Sequence, residues 1–98
     1  MNKRIKRKKV KLERSKIHDV LDLVLDVNGL EERTREKTGN KPTAFFEYAG
    51  HINTVTTALY LNGWHAMASV SERTDAWGID ESVVMLLKAK EKLYGQHR

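Results

Sequence analysis

Lysine and arginine crowd the start of this chain. Lys3, Arg4, Lys6, Arg7, Lys8, Lys9, Lys11, Arg14 and Lys16 fall within sixteen residues, with Glu13 the one acid among them. A cationic run of this density neutralises phosphates and releases their counterions. Its natural partner is DNA or RNA, bound electrostatically and without sequence preference. Lys3, Arg4, Lys6, Arg7, Lys8, Lys9, Lys11 and Arg14 are therefore the candidate nucleic-acid-binding residues; the plain alternative is a solvated tail that aids solubility. The rest of the chain has the opposite sign. Nine bases against twelve acids leave residues 17–98 at −3 within a total of +5, so the arm carries all the excess positive charge.

Other residue types capable of chemistry do not assemble into a motif. His18 and Asp22 lie four apart, a spacing that presents two ligands on one helix face, but no third ligand is recognisable. His51 sits beside Gly50 and His65 beside Trp64, neither with a Ser or Asp partner at motif spacing. Thiolate chemistry is excluded by the absence of cysteine, and there is no glycine-rich phosphate loop. No catalytic residue, metal or cofactor is expected, and the chain reads as non-enzymatic.

These side chains need elements to position them. Residues 1–14 form an arm that is either disordered or a backward extension of the first helix, since Val10, Ile17 and Val24 fall seven apart. A domain of residues 15–98 follows. Its first helix runs from Ser15, as N-cap, to Asn28, with Ile17, Val20, Leu21, Val24 and Val27 on the core side and Gly29 as the stop. Residues 30–38 are polar enough for only a short helical turn. Thr43–Ala49 reads as a strand with Phe46 and Tyr48 inward and Phe45 outward; a second runs from His51 or Ile52 to Leu61. Asn62-Gly63 suits a type I′ hairpin into a third strand from Trp64 to about Ser71, with Trp64 on the dry face. Ser71–Gly78 is then a loop carrying Trp77. Asp80 caps a last helix with Ile79 and Val84 as its staple and Val83, Leu86, Leu87, Leu93 and Tyr94 as its apolar side.

The fold class is α+β, in the order α-β-β-β-α, with two helices on one face of a three-stranded antiparallel meander. In that arrangement Phe45, Tyr60, His65 and Met67 line the outer face. With Trp77 they make a candidate surface for a protein partner, for self-association or for a stacked base. The plain alternative is that residues 30–38 or the arm fold over this face. No apolar run is long enough for a membrane span, and no apolar stretch follows the basic start as a signal peptide requires. The chain is expected to be cytoplasmic and free of membrane contact.

Two resemblances bear on this. The element order, with Gly50-His51 ahead of the second strand, resembles the double-stranded RNA-binding domain. That family contacts phosphates with lysines at the start of its last helix, where this chain has Asp80 and Glu81. The block from Lys41 to Trp64 and the basic start look like small uncharacterised proteins of phages and prophages of Gram-positive bacteria, a likeness that implies a context and no activity.

Overall fold

A computed structural model describes residues 3–68 and 70–95, with side chains for 8–68 and 71–94. The elements are α1 (Lys3–Asn28), α2 (Arg35–Thr38), β1 (Thr43–Ala49), β2 (Thr54–Tyr60), a single 3-10 turn (Val70–Glu72), β3 (Arg73–Trp77) and α3 (Ile79–Gly95). The three strands form one antiparallel sheet in the order β1-β2-β3. Both long helices cover the same face, α1 against β1 and α3 against β2 and β3, and they pack on each other. This is the α+β, α-β-β-β-α arrangement expected from the sequence.

The core is built from small side chains. Val20, Val24 and Val27 of α1 meet Ala44, Val55 and Leu59 of the sheet and Leu86 and Ala89 of α3. None of the seven aromatic side chains is fully buried, although aromatics usually dominate a core. Phe46 packs at the core margin. Tyr48 shares its side of β1 but stays exposed at the hairpin end, where its hydroxyl donates to Asn53 Oδ1 at 2.5 Å.

The third strand lies further along the chain than expected. Gly63 N donates to Tyr60 O, closing a turn in which only Gly63 takes a positive φ (92°). A type I′ hairpin needs that conformation at Asn62 as well, so the chain leaves the sheet. Residues 64–72 connect, and β3 pairs instead through Leu59 with Thr74, Thr57 with Ala76 and Tyr60 with Arg73. The expected loop around Trp77 is therefore a strand. Within the third strand expected from Trp64 to about Ser71, Ser69 lies outside the described residues.

Both helix starts also move. Ser15 lies inside α1, which takes the helix-extension form of the arm. At α3 the cap is Gly78, whose carbonyl accepts from Ser82 N, and Asp80 falls in the first turn. Gly78, at φ 93°, turns the chain directly from strand to helix. Glu81 reaches back to accept from Trp77 N at 3.2 Å. One consequence is a change of buried face: Ser82, Leu86 and Ala89 face inward, whereas Val84, Leu87 and Tyr94 are exposed and no staple forms.

Sheet and α3 are joined by a buried hydroxyl pair. Thr57 Oγ1 donates to Ser82 Oγ at 2.9 Å, and Ser82 Oγ donates to Gly78 O at 2.6 Å, with both residues fully buried. Thr57→Val leaves Ser82 with an acceptor, whereas Ser82→Ala strands the Thr57 hydroxyl in the core. Urea unfolding should show Ser82→Ala losing about 1–3 kcal/mol and Thr57→Val about 1 kcal/mol or less. Equal losses would overturn this account of the pair.

Candidate functional site

The arm and the outer sheet face lie on opposite sides of the molecule. α1 is continuous from Lys3, while its contact with the core begins at Ile17. Val10, Glu13 and Arg14 border a hollow shared with Tyr48 and Asn53, so the helix leaves the body over the residues before Val10, a stretch of about 10 Å at 1.5 Å per residue. Lys8, Lys9, Lys11, Arg14 and Lys16 are exposed, as are Val10 and Leu12. Lys3, Arg4, Lys6 and Arg7 belong to the helix, and their side chains lie outside the described residues. Helical spacing puts positions 4, 7, 8, 11 and 14 along one side of α1, away from the side that carries Val20, Val24 and Val27. Asp19, Asp22 and Asp26 follow, none of them fully buried. The charge of the helix therefore reverses from basic to acidic along its length.

That polarity runs against the helix dipole, which favours acids at the N-terminus and bases at the C-terminus by roughly 0.3–1 kcal/mol each. The first turn of α1 holds no acid and its last turn no base. Arg33 supplies the missing cation from beyond the helix. Its Nη2 donates to Val27 O at 3.0 Å and its Nε to Asn28 O at 3.1 Å.

The outer face of the sheet is a grid of three rows: Thr43–Tyr60–Arg73, Phe45–Ala58–Asp75 and Glu47–Thr56–Trp77. Phe45 and Tyr60 meet edge to face, their ring centroids 5.8 Å apart. Phe45 is 45% exposed and Trp77 65%. Arg73 Nε donates to Asp75 Oδ1 at 2.6 Å, and this bond, foremost among several influences, raises the guanidinium pKa further above its ordinary value. A hollow of about 440 Å³ lies between Phe45, Ala58, Tyr60, Trp64 and Arg73.

Three of the five expected partner-binding residues, Phe45, Tyr60 and Trp77, share this face. His65 and Met67 do not lie on a strand. They belong to the connector, where His65 Nε2 faces Glu72 Oε2 at 3.5 Å and Met67 is 85% exposed. Trp64, expected in the core, borders the hollow on the outer side. The arm does not lie over the face, since α1 packs behind the sheet; residues 30–38 reach its Thr43 corner, where Arg33 O accepts from the buried Thr43 Oγ1 at 2.7 Å, and α2 is tied to the turn after β2 through Arg35 N to Trp64 O and Arg35 Nη2 to Gly63 O. Glu47 points outward beside Phe45, as the alternation of β1 predicts, whereas Arg73 and Asp75 were missed as members of this surface. The alternation from Arg73 to Trp77, ending at a glycine, is the signal that would have revealed them.

Among the described residues no three His, Asp or Glu side chains gather where a metal could bind, and no helix is long and apolar enough to cross a membrane. No family model matches the chain, and no curated protein or solved structure matches it.

Gly63 sets where Trp64 enters the outer surface. A Cβ there would lie 2.6 Å from Gly39 O, at a φ of 92°. Gly63→Ala should lower stability by about 2 kcal/mol or more in thermal or urea unfolding. Gly50→Ala, whose Cβ meets only Tyr48 Cε2 at 3.8 Å, should stay within about 0.5 kcal/mol of the parent.

Proposed function

We propose that this chain is a small non-enzymatic accessory protein of the cytoplasm that associates with nucleic acid through the basic half of α1, contacting phosphates and not base edges. The observation that carries the proposal is a cationic stretch held as helix against its own electrostatics. Its charges oppose the dipole. Positions 4 and 8, and 7 and 11, pair like charges one turn apart, an arrangement that weakens an isolated helix by roughly 0.2–0.5 kcal/mol per pair. A solubility tail gains nothing from that geometry. A polyanion lying along the helix relieves both penalties at once and gains counterion release. The aspartates at 19, 22 and 26 limit the footprint to the first half of α1.

Titrating binding to generic duplex DNA and RNA across a salt series tests this. Every phosphate that the protein no longer neutralises should reduce the slope of log affinity against log salt by about 0.9. Replacing Lys8, Lys9 and Lys11 with glutamine should therefore lower it by about two to three and weaken binding to every sequence alike. An unchanged affinity and slope in the triple variant would reject the proposal.

A further inference from the structure

We infer that the outer sheet face is a self-complementary interface that pairs two copies of this chain face to face, with their strands crossed at about 90°. Three rows on three strands make a three-by-three grid with the buried Ala58 at its centre, Glu47 and Arg73 at one pair of opposite corners, and at the other Trp77 and Thr43, the latter buried against Arg33. A two-fold axis along the Thr43–Trp77 diagonal brings every position onto a compatible one. Glu47 meets the second copy's Arg73, Phe45 meets Tyr60, Thr56 meets Asp75, and Trp77 meets Trp77. No like charges are opposed. A two-fold axis along the strands sets Phe45 against Asp75, and one across them sets Asp75 against its own copy.

Strand twist favours the same choice. Gly78 N donates to Val55 O, so Val55, Thr57 and Leu59 turn their backbone groups to β3, while Thr56, Ala58 and Tyr60 turn theirs to β1. With L-residues this defines which flank each strand occupies when the outer face is viewed. Right-handed strand twist then raises the Glu47 and Arg73 corners towards the second copy and lowers the other two. The charged corners close, and the bulky Trp77 rings occupy the gap at an open one.

A nucleic acid fits this face poorly, because Glu47 and Asp75 repel phosphate and outnumber Arg73. The interface is at the small end of specific ones, so the dimer should be an equilibrium one in about the micromolar range. Because it lies on the side of the sheet opposite α1, it stands or falls independently of the arm's role.

The test is sedimentation equilibrium of the full chain up to about 200 μM, using the parent, Glu47→Arg and Arg73→Glu, with far-ultraviolet spectra to confirm folding. In one chain these corners are about 17 Å apart by strand spacing and rise, too far for an internal pair. The parent should dimerise, and each variant alone should do so at least about tenfold more weakly. An equimolar mixture of the two variants should recover dimer, since the two introduced side chains then face each other as an opposite-charge pair and the native residues pair as before. A monomeric parent, variants that dimerise normally, or a mixture without recovery would each overturn the inference.

Discussion

The carbonyls that end an α-helix have no partner within it, and those closing α1 are satisfied by a guanidinium. Arg33, with its side chain almost wholly buried, donates to Val27 and Asn28 and pairs with Glu31 at 3.1 Å. Its own carbonyl accepts from Thr43 Oγ1 at 2.7 Å, at the first residue of β1. The Asn28 side chain completes the joint by accepting from Ala44 N and donating to Ala44 O, both at 2.9 Å. An amide that pairs with both backbone groups of one residue behaves like one more rung of the sheet. The end of α1 is thereby fastened to the start of β1 by directional bonds, and hydrophobic contact alone could not set that angle. Everything N-terminal on α1, including the basic half, points where this joint aims it.

The joint also explains how α1 tolerates its charge order. Three aspartates lie in the half where the dipole is negative, and Asp26 finds a counter-charge across the helix pair, in Lys90 at 3.1 Å. Exposed ion pairs of this kind contribute little. Arg33 contributes more because its bonds are buried and charge-assisted. With the C-terminal end held by Arg33 and the valine stripe held by the core, the first half of α1 needs little stability of its own. It can carry a charge pattern that no isolated helix would favour.

How far the fold could be read from the chain depended on whether each signal was local. Thr43–Ala49 was legible because a β-branched and aromatic run follows Pro42, and the end of α1 because Gly29 takes φ 66° as a helix stop. Asn62-Gly63 misled because its meaning rests on a contact from elsewhere. Gly63 is there to admit the backbone of residues 39–41, and Arg35 holds its carbonyl. Without that knowledge the dipeptide reads as a hairpin, which moves β3 nine residues too early and sends Trp64 to the wrong face. Arg33 was invisible for the same reason: nothing within a few residues distinguishes it from its exposed charged neighbours. The arm residues were legible from composition alone. Of the outer surface, Phe45, Glu47 and Tyr60 came from the correct reading of β1 and β2, while Arg73 and Asp75 depended on the true β3.

The two surfaces have a joint consequence even though neither requires the other. In a face-to-face dimer the sheets lie at the centre and both α1 helices on the outside, so two basic segments extend from one particle. Two weak phosphate-binding segments on one body act as a bivalent ligand, whose second contact forms at the effective concentration set by the first. Nucleic acid that engages both arms must then favour the dimer by the same factor by which dimerisation strengthens binding, because the two equilibria are thermodynamically linked. A small, weak sheet interface is the kind this coupling can act on. Held apart in solution and brought together along a polyanion, the chain would assemble where its charge partner is. That makes the modest size of the outer face compatible with a role, and it places the aromatic residues left out of the core where an assembling surface needs them.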